Sequence, residues 1–207
     1  MRKNKIGIVV PYRNRREHLN HFIPSITTIL KEQNIDYEVI IVEQADDKPF
    51  NRGKLLNVGV KRAKKLKCNY VALHDVDMLP QEVDYSIVDR PTHLATKFTS
   101  DHKEKRIIFD GYFGGVTLFP IMDYYKVNGY SNEYWGWGYE DDDLLFRCKE
   151  NLFDFNTKQT PIKTSNSAGL EFNGWDSEVK IPMKFGCDNN TILIECEPQH
   201  IDLRKEL

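Results

Sequence analysis

The 207-residue chain has no apolar run approaching the roughly 20 residues that a membrane-spanning helix needs. Its four cysteines, Cys68, Cys148, Cys187 and Cys196, form no Cys-x-x-Cys pair, which argues against a structural zinc site. Reduced thiols in a cytoplasm are the simplest reading of them. A formal net charge of −2 gives no support for broad binding to a polyanion, so no nucleic-acid partner is expected. The basic opening Met1-Arg2-Lys3-Asn4-Lys5 leads into a strand pattern and not into the apolar core of a signal peptide. No repeat and no linker divides the sequence. A cytoplasmic location follows as the expectation, with at most peripheral membrane contact through the basic run at 61–65.

What is present is an ordinary globular composition, 40% hydrophobic and 29% charged, in a chain long enough to bury a core. Residues 6–10 form a short apolar run closed by Pro11, the pattern of a buried strand. Leu19, Phe22, Ile23, Ile26, Ile29 and Leu30 recur at helical spacing, which predicts a helix over 15–32. A β-branched strand follows at 37–42. Next come an amphipathic helix marked by Leu55, Leu56, Gly59, Ala63 and Leu66, and a strand at 70–73. This alternation predicts an α/β fold with parallel strands and right-handed crossovers. After Asp77 the pattern becomes mixed, with a strand over 114–119, a short helix over 121–128, a helix over 141–150 and a last strand over 191–196. Residues 151–190 are polar and carry no assignable period.

Ligands of such sheets sit outside the carboxyl ends of the strands. Three polar motifs fall there: Pro11-Tyr12-Arg13-Asn14-Arg15, the loop 43–52, and Asp75-Val76-Asp77. A lone Asp-x-Asp is most simply a solvated turn. At the end of a buried strand, with arginines at neighbouring ends, it becomes a candidate site for Mn²⁺ or Mg²⁺ and for a nucleotide whose diphosphate adds further hard oxygens. Arg13, Arg15 and Arg52 are candidates to grip that nucleotide. Arg16 and the run Lys61-Arg62-Ala63-Lys64-Lys65 read as solvated helix surface.

The densest signal is Tyr134-Trp135-Gly136-Trp137-Gly138-Tyr139-Glu140-Asp141-Asp142-Asp143. Acids in a first helical turn complement the helix dipole, which accounts for one or two of the four. The remainder point to chemical use, with one carboxylate as a general base and the tryptophans as a sugar platform on a glycine hinge. His18 and His21 read as surface, His93 and His102 have no evident partner, and His74 is a candidate to orient the acidic pair. His200, among Glu195, Glu197 and Asp202, is a candidate metal ligand.

Together these motifs resemble the β-1,4-galactosyltransferase family, inverting Mn²⁺-dependent glycosyltransferases of the GT-A fold. The resemblance covers residues 6–147 in consistent order. It is carried by Val10-Pro11-Tyr12-Arg13-Asn14-Arg15, Phe50-Asn51-Arg52-Gly53-Lys54-Leu55-Leu56-Asn57-Val58-Gly59, Asp75-Val76-Asp77-Met78-Leu79-Pro80, Tyr112-Phe113-Gly114-Gly115-Val116, Val127-Asn128-Gly129-Tyr130 and the tryptophan–acid segment. It implies a Rossmann-like mixed sheet flanked by helices, in one domain over 1–207 with a nucleotide-binding half (1–100) and an acceptor- and metal-completing half (101–207). Pro11, Arg13, Arg15, Phe50 and Arg52 are implied to hold uridine diphosphate. Asp75 and Val76 would contact the nucleotide, Asp77 would bind Mn²⁺ (or Mg²⁺), and Lys97 would touch phosphate. Tyr112 and Gly115 fall in the implied donor site, where a bulky Tyr112 crowds the sugar's C2 substituent and favours galactose. Trp137 is implied as a mobile lid, Glu140 as a contact to the donor sugar and Asp141 as the catalytic base. Asp142 and Tyr139 would border the acceptor.

The chain also departs from the family pattern. Tyr139 stands where vertebrate members have glycine. The family's Met-x-x-His is matched by Glu197-Pro198-Gln199-His200, so Glu197 and His200 are the expected further ligands, a glutamate being harder than a thioether. The stretch from Arg147 to His200 is longer than the family's, and the acceptor-site loop after it is expected to be shortened or absent. Without an anchor or stem, the chain resembles short bacterial members that build surface glycans from the cytoplasmic side. The expected function is transfer of galactose from UDP-galactose to a hydroxyl of a sugar acceptor (GlcNAc, Glc or a related glycan end), in surface polysaccharide or lipooligosaccharide synthesis. A UDP-GalNAc or UDP-Glc transferase on the same scaffold, or a non-catalytic glycan-binding relative, are the alternatives.

Overall fold

The computed structural model describes residues 4–100, 103–106, 112–151, 156–157, 161–164 and 191–196. Its frame is three parallel strands and the helices between them. Strand β1 (Lys5–Tyr12) is buried along nearly all its length, and helix α1 (Arg16–Glu32) turns Leu19, Phe22, Ile23, Ile26 and Leu30 inward. Strand β2 (Asp36–Gln44) pairs parallel with β1 from Lys5↔Asp36 to Tyr12↔Glu43. Helix α2 (Arg52–Lys65) starts at Asn51, whose side chain accepts the Lys54 N–H, and ends on Arg62, Lys64 and Lys65, where positive charge suits the helix dipole. Strand β3 (Tyr70–His74) returns on the other side of β1, from Ile6↔Tyr70 to Val9↔Leu73. The chain therefore leaves β1 in both directions. That makes the crevice between the carboxyl ends of β1 and β3 the switch point at which such sheets bind ligands.

The sequence predicts that Pro11 closes β1, but the strand runs on to Tyr12. Past Val9 it has β2 alone as a partner, so Pro11 sits at an edge where its missing N–H is tolerated.

The later elements make the sheet mixed. They are β4 (Met78–Pro80), β5 (Thr92–His93), β6 (Lys97–Ser100), β7 (Lys103–Arg106), β8 (Val116–Pro120), α3 (Ile121–Lys126), α4 (Glu140–Glu150), β9 (Asn156–Thr157), β10 (Pro161–Thr164) and β11 (Thr191–Cys196). β8 lies antiparallel to β3 and β11 parallel to β2, giving the order β11-β2-β1-β3-β8-β5-β9. A second sheet has the order β4-β10-β6-β7. Central strands are apolar on both faces because both faces are covered. Ile8 and Val10 face the core under α1, while Val9 faces the one shared with α2, α3 and α4. Each fully buried Leu, Ile or Phe is worth roughly 1.5–3 kcal/mol, so these two layers hold the frame on which the crevice is built. The predicted strand at 114–119 begins two residues later, and the predicted helix at 121–128 stops at Lys126, because Asn128 adopts a left-handed φ of 60°.

Candidate active site

β3 ends in His74, which is completely buried, and that burial pushes its imidazole down to about 4. The ring is therefore neutral near pH 7. The Asp75 carbonyl can only accept, so Nδ1–H donates to it at 2.9 Å, and Nε2 accepts from the Tyr85 hydroxyl at 2.9 Å. The Asp75 N–H donates to the Gly115 carbonyl at 2.9 Å, and the Met78 N–H to the Asp75 carbonyl at 3.1 Å. His74 thus acts on the backbone of the acidic turn and not on its carboxylates.

Arg52, the first residue of α2, is the centre of the site. Its Nε lies 2.7 Å from Asp75 Oδ1, and its Nη1 lies 2.8 Å from Asp141 Oδ1 and 3.5 Å from Glu140 Oε1. The guanidinium also sits 5.4 Å from the Tyr130 ring centroid. Burial alone would lower its pKa, but the charges of Asp141 and Asp75 outweigh that and hold it well above its usual value. Burial pushes Asp75 upward against the pull of Arg52, and pushes Glu140 the same way. The sequence gives Arg52 to phosphate; the contacts it makes here are with three acids. It welds the end of β3 to the start of α4.

Around this knot lie most of the other expected residues. Arg15 Nη1 pairs with Asp77 Oδ2 at 3.0 Å. Arg13 donates to the Lys48 carbonyl at 2.7 Å and lies 5.4 Å over the Phe50 ring, so the two brace the loop after β2. Pro11 and Val76 are buried beneath. Tyr112 meets the His93 ring edge-on, with centroids 5.3 Å apart. Its phenol is pushed up by burial and then by the charges of Asp75, Asp141 and Asp77. A β carbon at Gly114 would stand 2.4 Å from Asp141 Oδ2 and 3.0 Å from the Tyr112 ring, so only glycine admits the carboxylate this close.

In the first turn of α4 the four acids have separate fates. Glu140 and Asp141 turn to Arg52, Asp142 is exposed, and Asp143 pairs with Arg147 at 2.6 Å. Before them, Trp137 is 99% and Tyr139 75% exposed. Lys97 is placed in β6, and Glu197 and His200 lie outside the described residues. β11 runs parallel to β2 with Cys196 beside Gln44, so its carboxyl end is at the same sheet edge as the crevice.

Sequence reasoning missed Tyr130, Gly114 and His93. Tyr130 and Gly114 stood in motifs without a role of their own, and His93, whose Nε2 lies 2.8 Å from the Gly114 carbonyl, reads in sequence as a histidine with no evident partner.

Four carboxylates (Asp75, Asp77, Glu140, Asp141) face two guanidinium groups, Arg15 and Arg52, and that excess of hard anionic oxygen fits a divalent cation. Among the described residues no cluster of three or more His, Cys, Asp or Glu could hold one alone, so Asp77 would need ligands from further along the chain or from a diphosphate. Asp141 Oδ1 accepts hydrogen bonds from both Arg52 and Tyr130, and Oδ2 is the carboxylate oxygen turned toward Gly114.

Residues 1–88 match the family described as the N-terminal region of glycosyl transferase group 7, and residues 94–167 the N-terminal domain of galactosyltransferase. The xylosylprotein 4-beta-galactosyltransferase of Caenorhabditis elegans is 35% identical over 166 residues, which is 79% of this chain and 56% of the relative. Human beta-1,4-galactosyltransferase 4 is 42% identical over 149 residues, 70% of this chain and 42% of the relative. The chain spans about half the length of these curated relatives. The catalytic domain of Drosophila β1,4-galactosyltransferase 7 superposes with a TM-score of 0.69 at 32% identity, covering 79% of this chain and 68% of that one. It has been solved with xylobiose and, as a variant, with manganese, UDP-Gal and xylobiose.

Proposed function

Because the chain belongs to the β-1,4-galactosyltransferase family, with the family's GT-A-like fold, we propose that it transfers galactose from UDP-galactose to an acceptor sugar hydroxyl, with inversion. The observation that carries this reading is the Arg52 knot, which brings the acids after β3 and the acids opening α4 to one crevice. Asp141 takes the acceptor proton while the oxygen attacks the anomeric carbon in line. Glu140, buried beside it, faces the positive charge that develops on the sugar ring. Arg15 and Arg13 border the nucleotide side of the crevice.

Asp77, with Glu197 and His200 from the segment after β11, would hold Mn²⁺. Bound there, the ion would stabilise negative charge on the departing diphosphate. Support for Mn²⁺, UDP-galactose and a sugar acceptor comes from the Drosophila neighbour that holds all three. Tyr112 supports galactose over N-acetylgalactosamine, since it fills space beside Gly114 and Gly115 that an acetamido group would need. The acceptor belongs among GlcNAc, Glc and, given the relatives' xylose-linked names, xylose. The proposed setting is cytoplasmic synthesis of a surface polysaccharide or lipooligosaccharide; free, buried Cys68 and Cys148 suit a reducing compartment.

The test is Asp141→Asn assayed with UDP-galactose, Mn²⁺ and those three acceptors. Transfer should fall by about a thousandfold or more while UDP still binds. Undiminished transfer removes Asp141 from the reaction.

A further inference from the structure

Tyr130 is the residue on which the geometry of Asp141 turns. It follows the left-handed Asn128 and is 1% exposed. Its backbone is clamped on both sides by one side chain: its N–H donates to Asn57 Oδ1 at 3.0 Å, and Asn57 Nδ2 donates to its carbonyl at 2.9 Å. Tyr124 fixes that asparagine in turn through a 2.7 Å bond to Oδ1, and Arg147 donates to the Gly129 carbonyl. The phenol has one direction left. It donates to Asp141 Oδ1 at 2.6 Å and accepts from Arg52 Nη1 at 3.2 Å.

Arg52 Nη1 reaches the same Oδ1 at 2.8 Å. Two donors therefore converge on one carboxylate oxygen, one of them neutral and one cationic. The other oxygen, Oδ2, lies over the bare backbone of Gly114, on a side chain that keeps 23% of its surface exposed.

We propose that Tyr130 is a positioning residue that, together with Arg52, commits Asp141 Oδ1 to the frame and leaves Oδ2 as the atom that takes the acceptor's proton. This deepens the reading above and rests on Asp141 being the base. In the step it serves, the acceptor O–H gives its proton to Oδ2, the acceptor oxygen bonds to the anomeric carbon, and the bond from that carbon to the diphosphate oxygen breaks. UDP leaves with the electron pair. Burial and the nearby charge of Asp141 hold the phenol well above its usual value, so it remains an O–H donor across the working pH range. Without it Asp141 would keep the Arg52 contact but could rotate about its side-chain torsions and exchange its two oxygens.

Tyr130→Phe keeps the ring over Arg52 and deletes the donor. We expect kcat to fall about tenfold to a hundredfold, with KM for UDP-galactose within about twofold of the parent. The acid limb of the kcat/KM profile should move to higher pH, because a donor to an ionised carboxylate favours that form and its loss disfavours it. Tyr124→Phe is the paired control, removing a hydroxyl from the same network but not from Asp141. It should lower stability and leave the acid limb in place. An unmoved limb and parental kcat in Tyr130→Phe, beside an inactive Asp141→Asn, overturns this inference alone. An equal limb shift in Tyr124→Phe also overturns it. An active Asp141→Asn overturns the underlying reading instead.

Discussion

The two walls of the crevice follow opposite rules. On one side Arg52, Asp75, Tyr130 and Asp141 are joined by contacts of 2.6–3.2 Å, largely hidden from water. On the other, Trp137 and Tyr139 stand in solvent, while Trp135 packs under Lys54 and the Gly136 N–H donates to the Phe50 carbonyl at 2.8 Å. Gly136, Gly138 and Tyr139 all take positive φ (87°, 106° and 72°), and a β carbon at either glycine would meet nothing within 4 Å. On the proposed function, the difference separates chemistry from capture. Proton transfer and in-line attack need groups fixed before substrate arrives, so those groups share a buried network. A surface that closes on a ligand needs the reverse, because any area it buried in the free protein would be lost as a gain on binding.

The sharpest way to break this contrast is Arg52→Met. It would leave Asp75, Glu140 and Asp141 crowded with no cation among them. Removing one partner from a buried ion cluster typically costs about 3–5 kcal/mol, and urea denaturation should show a loss of that order. Initial rates should fall at least about a hundredfold, since Asp141 loses its anchor. Parental stability in this variant would mean that the knot does not hold the wall together.

The same contrast explains what could be read in advance. β1, α1, β2, α2 and β3 were legible because burial imposes a period, and the motifs at their ends were legible because ligand sites of such sheets have a fixed address. Asp141 and Asp75 could be named separately. That Arg52 joins them could not, because an arginine at a helix start looks the same whether it awaits a phosphate or neutralises acids from 23 and 89 positions away. β4 to β7, β9 and β10 went unseen for another reason. They are two to four residues long, too short to show a period, and β7 reads Lys-Glu-Lys-Arg. Their pairing comes from the neighbour and not from their own pattern.

A smaller effect should appear beneath the knot. His74 titrates at about 4 when folded, against an ordinary 6.5, so the folded state favours the neutral ring. Its contribution is complete above pH 6.5 and is lost as pH falls toward 4, because the unfolded chain then binds a proton that the buried ring refuses. Between pH 7 and 5 this amounts to about 2 kcal/mol. His74→Asn, which cannot titrate, should be less stable at pH 7 yet show a shallower decline in urea midpoint over that range. Parallel declines would place the pH sensitivity elsewhere. The exposed wall holds no comparable group, so substitutions in 135–139 should leave the slope unchanged.

The least disturbance of the fold is expected from Trp137→Ala. With 99% of its surface in water, the indole contributes almost no burial, and the change should move stability by no more than about 0.5 kcal/mol. Transfer should nonetheless fall about tenfold or more, because the ring's apolar area is available only to a bound ligand. Comparing thermal midpoints with and without UDP-galactose and Mn²⁺ separates the two effects: the free proteins should melt together, and the ligand-induced rise should be smaller in the variant. If the free variant melts well below the parent, the tryptophan is packed in solution and the two walls are less different than their geometry implies. If both midpoints and rates are unchanged, Trp137 is exposed without being used, and capture of the donor must be assigned to Arg13, Phe50 and Tyr112.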